Sequence, residues 1–190
     1  TEHIPRLVAQ AIRIATAAPR GPVLLDIPWD VLSGQVEQVV SPVFGPEVTG
    51  ACGVRVPDAE KILDLIARAQ RPVAVIGSEI ARSKAGDSLI ELAELLDLPL
   101  FADYEGLGQI IASHHSYGLV QNLVGLPDGE QPDLVLMLGL RFGLTTSGGS
   151  GSHISHDAQV VQIDPDAREL GRLQSVAIGV AADVGESVRV

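Results

Sequence analysis

A chain of 190 residues with 46% hydrophobic content can bury one good core, and with only 3% aromatics that core must come from Val, Ile, Leu and Ala. The formal net charge of −11, from 13 basic against 24 acidic residues, argues against a nucleic-acid or anionic-membrane surface, because each phosphate contact needs a cation. Cys52 is the single cysteine, which excludes an internal disulfide or cysteine knuckle and leaves a small semi-buried residue as the expectation; with no apolar run near ~20 residues and no signal-peptide start, the chain reads as cytoplasmic.

From Ile4 to Ala18, apolar residues at Ile4, Leu7, Val8, Ala11, Ile12 and Ala15 predict a helix, stopped by Pro19-Arg20-Gly21-Pro22. Val23 to Ile27 reads as a short buried strand ending at Pro28-Trp29-Asp30. A helix feeding a strand is half of an α/β unit, so residues 1–32 are expected to be the C-terminal end of an upstream domain. Over residues 33–57, Pro42, Gly45, Pro46, Gly50, Gly53 and Pro57 break every period and predict a linker. Asp58 is placed to cap a helix with Ala59, Ile62, Leu63 and Ile66 on one side, followed by the strand Val73 to Ile76. A second helix carries Leu89, Ile90, Leu92, Ala93, Leu95 and Leu96. Strands are expected at Leu98 to Ala102, Leu134 to Leu138, Gln159 to Ile163 and, more weakly, Ala177 to Ala181. Strand and helix alternating with short connections require crossovers, hence an α/β, doubly wound, mainly parallel sheet. Residues 58–190 are expected to form this domain, truncated at its last helix.

Ligands of such sheets lie at the carboxyl ends of strands, so the loops after Ile76, Ala102, Leu138 and Ile163 matter most. The segment Gly77-Ser78-Glu79-Ile80-Ala81-Arg82 lacks the later glycines of G-x-G-x-x-G, and Gly77 is either a tight strand exit or a phosphate contact. Arg141, between Gly139 and Gly143, can grip a phosphate or carboxylate, or can be a structural arginine on a surface loop. Asp164 stands where a nucleotide fold accepts ribose hydroxyls, and Asp164-Pro165-Asp166 equally suits a helix cap. His114, His115, His153 and His156 lack a supporting cysteine or H-E-x-x-H frame, so no metal site is assigned. No nucleophile with its base and orienter can be assembled, so no catalytic residue is assigned either.

Several segments together resemble a known superfamily. Gly21-Pro22-Val23-Leu24-Leu25-Asp26-Ile27-Pro28 is similar to the final strand of the pyrimidine-binding domain of thiamine diphosphate enzymes. The segments at residues 71–77, 133–142 and 161–166 resemble three signatures of that superfamily's central domain, in order. Thr1 to Val8, Pro28-Trp29-Asp30, Phe101 to Leu107 and Gly118 to Leu123 resemble the benzaldehyde lyase-like members. The resemblance implies a six-stranded, Rossmann-like central domain within a thiamine diphosphate- and Mg²⁺-dependent enzyme that cleaves or forms acyloins, with the thiamine ylid attacking a carbonyl. It implies partner pyrimidine-binding and diphosphate-binding domains in the same enzyme, a small aldehyde or acyloin substrate and a homotetramer, with no nucleic acid or membrane partner. Trp29 matches a tryptophan of the substrate pocket.

The activating Glu and the metal-diphosphate motif of the superfamily fall outside the chain. Gly86-Asp87-Ser88 imitates the start of that motif, but Asn122 is the only asparagine and the closing pair cannot form; Asp87 is read as a helix-start residue. The fragment is therefore expected to be silent alone and to bind no cofactor. Acetolactate synthases of the superfamily keep FAD in this domain and acyl-CoA relatives keep ADP. Here Gly143-Leu144-Thr145 replaces the acidic residues and arginine of the flavin binders, so FAD is not expected and Gly77, Arg141 and Asp164 read as a vestigial nucleotide site. An FAD-binding acetolactate synthase-like domain and a stand-alone nucleotide-binding module are the alternatives.

Overall fold

The computed structural model describes residues 2–37, 52–110, 115–124, 126–127 and 129–189, and of Tyr117 only the backbone. It divides into two compact units, residues 1–50 and 51–190.

In the first unit, helix α1 (Ile4–Thr16) starts with Pro5 in its first turn and ends with Arg13 in its last, a favourable charge at the carboxyl pole. Ala9 is its only buried residue; Leu7, Val8, Ile12 and Ile14 are exposed. Val23 to Ile27 does not form the buried strand expected of it: the segment belongs to no helix or sheet, and Leu24 is 92% exposed. An apolar run encodes a strand only where another strand takes its backbone groups, and this unit supplies none among its described residues. A single helical turn, α2 (Trp29–Leu32), follows.

Of the expected linker, residues 38–51 lie outside the described residues. Its end already belongs to the second unit: the Cys52 carbonyl accepts the Asp183 N–H at 2.9 Å, and the Val54 N–H donates to Ser187 Oγ at 3.1 Å. Cys52 itself is exposed rather than semi-buried. Helix α3 (Val56–Arg68) begins earlier than expected, with Pro57 in its first turn. Asp58 lies inside that turn, where side-chain hydrogen bonds from Arg55 and Lys61 hold its carboxyl below the usual carboxylate range.

Six strands form one all-parallel sheet in the order β3-β2-β1-β4-β5-β6: β1 (Pro72–Ile76), β2 (Leu100–Ala102), β3 (Ser116–Leu119), β4 (Leu134–Leu138), β5 (Gln159–Asp164) and β6 (Ile178–Ala181). Period-two alternation assigns the faces. Ala74, Ile76, Leu136, Leu138, Val161 and Ile163 meet α3 and three further helices, α4 (Ser78–Arg82), α5 (Gly86–Leu96) and α6 (Val184–Val188). Val73, Val75, Val135, Met137 and Val160 point the other way, onto Val120 and Leu123 of a 3₁₀ turn and onto Leu140, Phe142 and Ile154. One face is thus covered by helices and the other by loops and 3₁₀ turns. Chain direction across the sheet reverses between β1 and β4, the switch point where loops diverge and leave a crevice. No described helix is long and apolar enough to cross a membrane.

Candidate functional site at the switch point

The carboxyl ends of β1, β2 and β4 converge on a pocket of about 280 Å³ lined by Ser78, Glu79, Arg82, Asp103, Glu105, Gly139, Leu140, Arg141 and Thr145. Backbone crowding holds these loops together. The Asp103 N–H donates to the Ile76 carbonyl at 3.0 Å, tying the exit of β2 to the end of β1. A Cβ on Gly77 would collide with the Gly139 carbonyl and stand 2.9 Å from Leu140 Cα. Gly139, at φ +62°, would drive a Cβ into the Glu79 side chain. Gly77 thus leaves no room for a side chain at the exit of β1, where the backbone of Gly139 and Leu140 packs against it and the Glu79 side chain packs against Gly139.

Arg141 is presented by its neighbours. Leu140 and Phe142 are buried, 3% and 1% exposed, so alternation turns Arg141 outward between them. Gln162, fully buried, donates to the Leu140 carbonyl at 3.3 Å and accepts the Gly171 N–H at 2.9 Å, while Arg172 donates to the Phe142 carbonyl at 3.0 Å. Arg141 Nε then stands 3.5 Å from Asp164 Oδ2, so the loop after β4 meets the last residue of β5. Asp164 is 0% exposed; its Oδ1 accepts the Asp166 N–H at 2.8 Å, and its Oδ2 has no hydrogen bond. Burial pushes its carboxyl above the usual range despite Arg141. The capping role expected of this segment falls to Asp166, which accepts from the Arg168 backbone N–H and pairs with the Arg168 side chain; the side-chain bond, then the backbone one, lower its pKa to about 2.

Glu79, 5% exposed, accepts from Arg82 at 2.6 Å, and Arg82 also reaches Glu105 at 3.9 Å. Asp103 Oδ1 accepts the Glu105 and Gly106 N–H groups at 3.0 and 2.8 Å, and burial raises its pKa. Glu79, Arg82, Asp103 and Glu105 were not singled out from sequence. They stand in the loops expected to matter, after Ile76 and Ala102, but no local pattern says which loops meet. Three lining carboxylates against two guanidiniums, with Asp164 adjacent, make a poor seat for a diphosphate, which brings further negative charge.

Trp29 lies in the other unit, 78% exposed. Among the described residues no three His, Cys, Asp or Glu side chains gather as a metal site. Asp87 occupies the first turn of α5, His153 contacts Ser147, His156 bonds the Gly149 carbonyl at 2.9 Å, and His114 lies outside the described residues.

The family described as thiamine pyrophosphate enzyme, central domain, matches residues 59–190. An acetolactate synthase of Mycobacterium leprae is 32% identical over 195 residues, covering 96% of this chain and 30% of the relative. A glyoxylate carboligase of Escherichia coli O157:H7 is 28% identical over 193 residues, covering 95% and 31%. The thiamine diphosphate-dependent 4-hydroxybenzoylformate decarboxylase of Rhodococcus jostii RHA1 superposes with a TM-score of 0.70 at 20% identity, covering 99% of this chain and 36% of its own, a likeness of fold. The chain spans about a third of the length of these proteins.

Proposed function

Because the chain belongs to the thiamine pyrophosphate enzymes as their central domain, we propose that it is the non-catalytic middle domain of a thiamine diphosphate- and Mg²⁺-dependent carboligase or lyase that cleaves or forms acyloins. The observation that carries this reading is the family match over residues 59–190. The benzaldehyde lyase-like assignment is supported by the segments Pro28-Trp29-Asp30, Phe101 to Leu107 and Gly118 to Leu123. Thiamine diphosphate, bound between other domains of the complete enzyme, supplies the electron sink for carbon–carbon cleavage. This chain's residues position those domains, and Trp29, exposed within its own unit, offers an aromatic wall to the substrate pocket. The complete enzyme is read as a cytoplasmic homotetramer.

The full-length gene product, assayed with benzoin, thiamine diphosphate and Mg²⁺, is expected to release benzaldehyde, and the 190-residue chain alone is expected to release none. Failure of the full-length protein to cleave any acyloin removes the specific activity and leaves the family standing. The FAD-binding alternative draws on the acetolactate synthases among the relatives. The acidic switch-point pocket speaks against it, and purified protein is expected to be colourless and unshifted in melting temperature by FAD.

A further inference from the structure

The switch-point pocket combines features that a nucleotide seat does not need. Arg141, its side chain 41% exposed, touches Asp164 Oδ2 only as a loose ion pair at 3.5 Å. That oxygen is buried without a hydrogen bond, and burial favours the neutral form of its carboxyl, so the Arg141 charge is only partly cancelled. Asp103, also in the lining, commits Oδ1 to two backbone N–H groups while Oδ2 makes no hydrogen bond among the described residues. Beside it stands Glu105, 67% exposed at its side chain and held to Arg82 only at 3.9 Å. Ser78 and Thr145 add neutral polar groups, and Leu140 adds apolar wall.

The lining carries both signs of charge, three carboxylates against two guanidiniums for a net −1, with Arg82 paired to Glu79 and Glu105 and Arg141 beside Asp164, and so offers partners to a ligand that itself carries both signs. A phosphate compound satisfies Arg141 but adds charge of the same sign as Glu79, Asp103 and Glu105; a simple amine satisfies the carboxylates but leaves Arg141 without an anion. The volume of about 280 Å³ lies just below that of pockets for drug-sized ligands, which suits a molecule of few heavy atoms. We infer that this pocket binds a small zwitterion, a free α-amino acid, with its carboxylate on Arg141 and its ammonium between Asp103 and Glu105. This assignment does not depend on the acyloin reading, since it uses only residues of the second unit.

The test is calorimetry and thermal shift on the 190-residue chain with L-alanine, L-serine and L-leucine at millimolar concentration, beside propionate, ethylamine and ADP. At least one amino acid is expected to bind and raise the melting temperature, while propionate and ethylamine, each lacking one charge, give no shift at the same concentration. Arg141→Gln is expected to weaken that binding roughly 10- to 100-fold, the weight of a charge-assisted hydrogen bond. Asp103→Asn keeps the Oδ1 acceptor of the turn and is expected to weaken binding in the same direction; Glu105→Gln, at an exposed side chain, provides a second variant that leaves the fold unchanged. The inference is overturned if no amino acid binds, if propionate or ethylamine binds equally well, if ADP binds more tightly, or if Arg141→Gln leaves the affinity unchanged.

Discussion

Gly139 and Asp164 show how single residues are committed at the end of a strand. Gly139 combines φ +62° with a Cβ direction blocked by Glu79, so a side chain meets both backbone strain and a collision. Gly139→Ala is expected to cost about 2 kcal/mol or more, read as a lowered urea midpoint with unchanged slope. Asp164 is the opposite case, since its ionised form is what the fold penalises. A carboxyl whose folded pKa is raised contributes most below its unfolded value of 3.8 and loses that contribution as pH rises through the folded value. Asp164→Asn keeps the Oδ1 acceptor for the Asp166 N–H and removes the penalised charge, so at pH 7 it is expected to stabilise by on the order of 1 kcal/mol. Melting curves from pH 7 downward should show that gain shrinking and gone below the usual carboxylate range. A destabilised variant at pH 7 would mean that the Arg141 contact outweighs burial.

The joint between α3 and the first two central strands depends on Asp133, which precedes β4 and accepts the N–H groups of Gln70 and Arg71, both at 2.8 Å, at the entrance to β1. Burial pushes its carboxyl up, but these two backbone bonds, with Arg71 nearby, outweigh it and leave the pKa lowered. Stability from this group is present above its unfolded pKa and lost as pH falls through the folded one, so Asp133→Ala is expected to cost about 1–2 kcal/mol at pH 7 and little in acid, measured by denaturant titration at both. At this scale legibility divides by position in the sheet. β4 was readable because all five of its residues are apolar and buried between two neighbours. β3 was not, since it pairs only with β2, is four residues long and contains Gly118 at φ +93°. Val23 to Ile27 carries as strong an apolar run as a true strand, yet sequence pattern encodes a face and never the partner. The switch-point site was half legible for the same reason: strand ends could be placed, but the meeting of the β1, β2 and β4 loops belongs to topology.

The distribution of buried surface over the whole molecule leads to a different kind of expectation. Every residue of the two hydrophobic clusters lies between Val54 and Val188, with one cluster on each face of the sheet. Among its described residues the first unit contributes none, and the one buried apolar residue among them, Ala9, is too small to anchor a core. Cooperative stability scales with the apolar surface removed from water, so it belongs to residues 51–190. A chain of residues 51–190 is therefore expected to melt cooperatively within a few degrees of the 190-residue chain, at about the precision with which small stability changes register in a domain of this size. A peptide of residues 1–50 is expected to show no cooperative transition by calorimetry, because α1 is too short to be stable as an isolated helix in water and exposes most of its large apolar side chains. A large loss of melting temperature on removing the first 50 residues would show that α1 or the segment Val23 to Ile27 shields part of the central core, and a cooperative melt of the peptide would show a second core. On the proposed reading of residues 1–32 as the end of an upstream domain, the exposed Leu7, Val8, Ile12, Leu24 and Trp29 are the side chains that domain covers, and in the full-length protein it is expected to protect the α1 amides from hydrogen exchange while leaving those of β1 and β4 unchanged.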